Sequence, residues 1–157
     1  MTAQSTDSLR QAVYRAEDQW SASMDRGGHV DFFGSMITVP TQLRFGNLED
    51  VQTYVDAVCR AHDLPTVRVR HRQGATRAHY EVKEQMRVIA VPTDHAWAMR
   101  ESVVLHEISH HACHIRHDTM RHDAQFATTM LALVRGQLGY EAELLLRTGY
   151  QAAGVPV

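Results

Sequence analysis

The chain has 157 residues, of which 44% are hydrophobic and 22% charged, a globular composition that excludes a disordered or fibrous protein. Its 16 Lys and Arg nearly balance its 18 Asp and Glu, which argues against binding nucleic acid or an anionic membrane through bulk charge. The sequence has no bilayer-spanning apolar run, no signal-peptide core, and too few cysteines for a disulfide framework. We therefore expect one cytoplasmic domain over residues 1–157.

The first part of the chain predicts two helices and a strand. Apolar residues recur at helical spacing over residues 9–20 and predict a helix that ends near Asp25. The apolar, β-prone segment 32–39 predicts a strand. Asn47 is a good N-cap, which predicts a second helix running to about His62.

The middle of the chain has the period of two that is typical of strands. It predicts a strand over residues 67–72 and a hairpin formed by residues 78–82 and 86–91. A strand, a crossover helix and another strand suggest that residues 32–39 and 67–72 form a parallel pair, with antiparallel strands following.

The last part of the chain, after Pro92, reads as helical throughout. It predicts helices over residues 94–115, 120–138 and 140–150. The expected fold class is therefore α+β, with a small mixed sheet first and a helical half second.

Histidine is the unusual residue of this sequence, since six of its 11 histidines lie between His106 and His122. Residues 106–110 form an HExxH motif. Residues four apart share one face of an α-helix, so His106 and His110 can bind the same zinc ion. Glu107 is turned by about 100° from His106 and can instead reach a water on the metal. Both histidines lie opposite the most apolar stripe of this helix, so we interpret them as metal ligands.

A catalytic zinc usually takes three protein ligands and keeps one position for water. His117 shares the face of the pair but lies almost three turns from His106, which is too far for one ion. His122 heads the inward stripe of the next predicted helix, and we favour it as the third ligand. Glu141 and Glu143 lie farther along the chain and stay open as candidates.

A family resemblance accompanies this motif. The segment LHEISHHACHIRHDTMRHDAQFATTMLALV, with DFFGSMITVP, RFGNLEDVQTYVDAVC, AHYE, IAVP and AMRESVVLHE, resembles a family of metallohydrolases from actinobacteria and their phages. The match covers most of the chain from about Asp31 to Tyr150. HExxH followed by HGxxF is also similar to SprT-like zinc proteases, whose last histidine is a zinc ligand and matches His122. Asp123 stands where that pattern has glycine.

The resemblance implies a zincin-like fold and hydrolase chemistry. We expect a zinc metallopeptidase in which Zn²⁺ is bound by His106, His110 and His122. Glu107 is the expected general base for attack of water on an amide carbonyl. The expected partner is a peptide or protein substrate, and we expect neither nucleic acid nor a membrane as a partner.

A different class of function is a non-catalytic module with a structural zinc. Such a site would be closed by a fourth protein ligand, for which Cys113, His117 and Glu143 are candidates. A third class, a DNA-associated protease, would use the arginines at positions 68, 70 and 72. We interpret those arginines as the solvated face of a half-buried strand.

Other residues near the motif have simpler interpretations. We expect Tyr80 to face the core and Cys113 to be a buried, inert thiol. His111 and His114 lie off the ligand stripe, so we expect them to be partly exposed or paired with carboxylates such as Asp118.

Overall fold

The computed structural model describes residues 7–157, and this part of the chain contains helices and strands as the α+β prediction requires. In chain order the elements are α1 (Arg10–Arg26), β1 (Gly28–Phe32), β2 (Ser35–Val39), α2 (Leu48–Ala61), β3 (Arg68–His71), β4 (His79–Lys83), β5 (Met86–Val91), a 3₁₀ helix (Ala96–Met99), α3 (Glu101–His117), α4 (Ala124–Leu138) and α5 (Tyr140–Ala152). Among these described helices, none combines the length and the apolar content needed to cross a bilayer. The described residues divide into two compact units, residues 7–40 with 120–157 and residues 41–119, and the single zincin-like domain stays a prediction.

The first unit is built around α5, which packs against both α1 and α4. Its core is aromatic and aliphatic, with Trp20, Phe126, Leu146 and Tyr150 each 2% exposed or less. The Trp20 indole N–H donates to the carbonyl of Ala142 at 3.0 Å, which satisfies the one polar atom of this buried side chain. The predicted first helix is confirmed and ends one residue beyond Asp25.

The prediction of a strand over residues 32–39 is confirmed for Ser35–Val39, but Phe32 ends a preceding strand that was not predicted, and Phe33 and Gly34 form the turn between the two strands. β1 and β2 pair antiparallel through a tight turn at Phe33 and Gly34, both with positive φ. Asp31 Oδ1 accepts a hydrogen bond from the Gly34 N–H at 2.9 Å, which stabilises the turn. The hairpin forms a sheet of its own, so the expected parallel pair with residues 67–72 does not exist.

The second unit contains a three-stranded sheet in the order β3-β5-β4. β3 pairs parallel with β5, and β4 pairs antiparallel with β5. The predicted hairpin is confirmed, and its turn residues Glu84 and Gln85 both have positive φ, as a type I′ turn requires. β5 is central because its apolar run from Val88 to Val91 is buried, which suits a strand covered on both faces.

In the second unit, a capping side chain sets the start of α2 and a tertiary contact sets the start of α3. Asn47 caps α2 as predicted, since its side chain accepts from the Asp50 N–H at 2.8 Å. The predicted helix over residues 94–115 is interrupted: Arg100 has extended backbone, and α3 begins at Glu101. The Glu101 N–H donates to the carbonyl of Leu43 at 2.9 Å, so pairing with a distant segment breaks the helix here.

Candidate metal centre

The HExxH motif lies in the middle of α3, in a stretch of helix that is almost entirely buried. His106 and His110 are 3% and 7% exposed, and their ring centroids lie 5.0 Å apart. The predicted shared face is therefore confirmed. Glu107 follows His106 directly on the helix and is also buried. A carboxylate in this position is shielded from bulk water, which strengthens its electrostatic interactions.

His122 lies in the non-helical segment just before α4, where Asp123 is the N-cap. Asp123 accepts from the Phe126 N–H at 3.0 Å, so aspartate caps the start of this helix at the position where the SprT-like pattern, which the sequence resembles, has glycine. The prediction that His122 points inward is confirmed, because the residue is 6% exposed. Its ring packs against Tyr14 and Phe126, with centroid distances of 5.2 and 5.0 Å.

The hydrogen bonds of His122 define which ring nitrogen can bind a metal. Nδ1 lies 2.6 Å from Asp7 Oδ2, and the backbone N–H of His122 donates to Asp7 Oδ1 at 3.1 Å. A carboxylate oxygen only accepts, so Nδ1 carries a proton and donates to Asp7. In the neutral imidazole the lone pair is then on Nε2, so Nε2 is the ring nitrogen that could bind a metal ion.

Three buried histidines form the candidate metal centre. His106, His110 and His122 each offer one ring nitrogen, and these atoms lie within 4.8 Å of one another, so the three residues could hold a metal ion. Neutral imidazole nitrogens suit zinc and other transition metals better than they suit calcium or magnesium, which prefer oxygen. Three histidines match the protein ligand set of several catalytic zinc sites. The donor atoms present therefore fit zinc.

The alternative ligands proposed from the sequence have other surroundings. His117 and Glu141 are exposed. Glu143 is buried, but its carboxylate accepts from Arg147 at 2.6 Å and lies 3.6 Å from Arg135. Two guanidinium partners compensate this buried charge, so Glu143 serves as an ion-pair residue.

The predicted surroundings of His111 are wrong. His111 is fully buried, and its partners are a tyrosine and a backbone carbonyl rather than a carboxylate. Its Nε2 donates to the carbonyl of Pro65 at 2.8 Å, so Nδ1 accepts from the Tyr80 hydroxyl at 3.0 Å. Burial lowers the pKa of His111 and keeps the ring neutral. The prediction that Tyr80 faces the core is confirmed, and Cys113 is buried as expected.

The surroundings of His114 and of the arginines on β3 agree with the simpler interpretations of these residues. His114 Nδ1 lies 3.8 Å from the Asp118 carboxylate, one helical turn away. Arg68 and Arg70 are exposed, and Arg70 donates to Glu81 at 2.5 Å. The arginine face of β3 is therefore solvated, and Glu81 offsets part of its charge.

A second buried acid lies in the unit that contains His122. Glu17 on α1 accepts a hydrogen bond from the Tyr150 hydroxyl at 2.5 Å, and both side chains are buried. Burial raises the pKa of Glu17 to about 8, although the hydrogen bond from Tyr150 partly opposes this shift. Burial also raises the pKa of Tyr150, and the neighbouring Glu17 adds to this effect.

Asp7 contacts His122 although no pattern in the sequence predicts it as a residue of this site. It lies three residues before α1 and 115 residues before His122, so no local spacing connects the two. The signal available was weak: a carboxylate is a common partner of a metal-binding histidine, but the sequence contains 18 acidic residues. Only the packing of the chain identifies which carboxylate it is.

No protein-family profile, curated protein or solved structure matches this chain. The resemblance to actinobacterial and phage metallohydrolases and to SprT-like proteases therefore stays a prediction, as does the zincin-like form of the α+β fold. The geometry of the three histidines is what supports a function for this protein.

Proposed function

We propose that this protein is a zinc-dependent hydrolase, and specifically a metallopeptidase. The observation that carries the proposal is the proximity of three buried histidine nitrogens, with two of the histidines in an HExxH motif. Each of the three buried rings, when neutral, has one nitrogen with a lone pair. A metal ion can accept one lone pair from each ring, which would bind the three residues to a single ion.

The roles of the residues follow from their chemistry. His106, His110 and His122 hold the ion, and α3 supplies two of the three from one rigid element. When bound, zinc lowers the pKa of a coordinated water towards about 7 and polarises a substrate carbonyl. Glu107 accepts the proton of the attacking water on its carboxylate and then donates it to the leaving amine. Its burial limits competition from bulk water for this proton.

A catalytic centre is favoured over a closed structural zinc site by the surroundings of the possible fourth ligands. His117 is exposed, and Glu143 is bonded to Arg147. In residues 7–157 the group of potential ligands within reach of one ion contains the three histidines and neither Cys113 nor a carboxylate. Three ligands leave a coordination position for water and substrate, as catalytic zinc requires.

Metal content and Glu107→Gln together test the proposal. Purified protein that has not met a chelator should contain about one zinc per chain by elemental analysis. Cleavage of a peptide library, followed by mass spectrometry, identifies a substrate for rate measurements. Glu107→Gln should bind zinc and melt like the wild type, while its cleavage rate falls by about 10² to 10⁴.

Glu141→Gln is the matched control, because Glu141 is an exposed glutamate on α5 and its loss should change neither zinc binding nor rate. Protein without a transition metal would contradict the metal centre. Glu107→Gln with full activity would show that Glu107 is not the base, and loss of zinc would show that its carboxylate is a ligand. Zinc-loaded wild-type protein that cleaves no peptide would support a structural zinc instead.

A further inference from the structure

Asp7 binds His122 through two separate hydrogen bonds. One carboxylate oxygen accepts from the ring Nδ1–H at 2.6 Å, and the other accepts from the backbone N–H at 3.1 Å. The ring contact involves two side chains that are largely removed from solvent, with exposed fractions of 7% for His122 and 29% for Asp7. Burial of this kind makes a charge-assisted hydrogen bond stronger than it would be at the surface.

These two hydrogen bonds restrain His122, whose position is not fixed by a helix or a strand. His106 and His110 are fixed by α3, whereas His122 precedes α4 and belongs to no helix. The backbone bond fixes where the residue lies, and the ring bond fixes the rotation of its imidazole. Tyr14 and Phe126 contact the ring as well and limit its tilt.

We propose that Asp7 is a positioning residue of the metal centre and acts through His122. Its carboxylate holds the proton on Nδ1, so the lone pair of Nε2 is directed to the ion, and it makes the imidazole a better electron donor. The inference rests on the proposed function, because it takes the three histidines as the metal ligands. Removing such a carboxylate typically weakens metal binding by about 10- to 100-fold.

The chain offers a matched control in a second histidine–aspartate pair. His114 Nδ1 lies 3.8 Å from Asp118, and the Asp118 side chain is 97% exposed. An exposed pair at this distance contributes little, and His114 is outside the candidate metal centre. Asp118→Ala therefore removes the same carboxylate from a histidine neighbour without touching the proposed site.

The test measures the zinc dissociation constant by competition with a chromophoric chelator. We expect Asp7→Ala to weaken zinc binding by about 10- to 100-fold and Asp118→Ala to leave it unchanged. Asp7→Ala should add almost nothing in a His122→Ala background, because Asp7 acts through that ring. Wild-type affinity in Asp7→Ala would overturn the inference. An equal loss in both backgrounds would overturn it too, since it would indicate a general structural effect.

A second variant and a measurement on the metal-free wild type distinguish a loss of positioning from misfolding of Asp7→Ala. Asp7→Asn keeps the size and an oxygen acceptor but not the charge, so zinc binding should weaken by less than in Asp7→Ala, about 3- to 10-fold. Long-range ¹H–¹⁵N spectra of the metal-free wild type should show the His122 proton on Nδ1, and a proton on Nε2 would overturn the inference.

The two proposals fail in different ways. Wild-type protein that binds no zinc would refute the proposed function. If the wild type binds zinc and cleaves a peptide, and Asp7→Ala binds zinc with the same affinity, only the positioning role of Asp7 is refuted. Zinc binding that depends on Asp7 without any peptide cleavage would refute only the catalytic function.

Discussion

The buried pair of Glu17 and Tyr150 makes the stability of this protein depend on pH. The two side chains come from α1 and α5, and the tyrosine hydroxyl donates to the carboxyl group at 2.5 Å. The pair is shielded from solvent, and burial raises the pKa of Glu17 from its ordinary value of 4.5 to about 8. The folded protein therefore keeps this acid protonated over a range in which the unfolded chain has lost the proton.

The direction and size of the effect follow from linkage. A raised pKa in the folded state means that its contribution to stability is complete below pH 4.5 and is lost as the pH rises to about 8. The interval between these two values, at about 1.4 kcal/mol per pH unit, corresponds to a loss of at most about 5 kcal/mol. Such a loss is a large fraction of the stability of a typical domain.

Glu17→Gln removes the titration and preserves the shape and an oxygen acceptor for Tyr150. Urea unfolding of wild type and variant is measured between pH 5 and pH 9 in EDTA, so that metal binding does not contribute. His111 also titrates in this range: its pKa is lowered, so its contribution is present above pH 6.5 and is lost as the pH falls. The difference between the two proteins cancels this contribution.

We expect Glu17→Gln to gain stability relative to the wild type as the pH rises from 5 to 8, by several kcal/mol in total. Glu141→Gln, which removes an exposed carboxylate from α5 in the same unit, should give a curve parallel to the wild type. Parallel curves for Glu17→Gln and the wild type would show that Glu17 is not held protonated, and the reasoning from burial would be wrong.

Two further predictions concern the histidines. His122→Ala should weaken zinc binding greatly while the exposed His117→Ala leaves it nearly intact, as measured by chelator competition; the reverse order would contradict the ligand assignment. Tyr80→Phe should lower the free energy of unfolding by about 1–3 kcal/mol, because it removes the hydroxyl that donates to the buried Nδ1 of His111. Urea unfolding at pH 7.5 measures this change, and an unchanged free energy of unfolding would contradict the hydrogen bond.

The helices that the sequence predicts correctly are those whose signals lie within a few neighbouring residues. Asn47 caps α2 as predicted, because a side-chain oxygen can reach a backbone N–H three positions away whatever the rest of the chain does. Asp123 caps α4 in the same way, so that helix begins at Ala124 rather than at the predicted residue 120. The hairpin of β4 and β5 belongs to the same group, since its turn and its alternation are local.

The errors occur where a distant segment decides the outcome. The predicted helix from residue 94 stops at Arg100 because the backbone there pairs with Arg44. The sequence predicts that His111 is partly exposed or paired with a carboxylate, but β4 brings the Tyr80 hydroxyl to it and the loop before β3 supplies the Pro65 carbonyl. A helical wheel ranks faces by composition, whereas burial depends on which elements pack against each face.

The sequence by itself determined the HExxH geometry, because i to i+4 spacing on a helix is a local property of His106 and His110. It also indicated His122 through the inward stripe of α4. Only the tertiary structure decided that Asp7 binds His122 and that β3 pairs with β5. It also decided which buried polar side chains are hydrogen-bonded to each other, as Glu17 is to Tyr150. These are contacts between residues far apart in the chain, and their formation depends on loop closure and packing of the whole fold rather than on neighbouring residues.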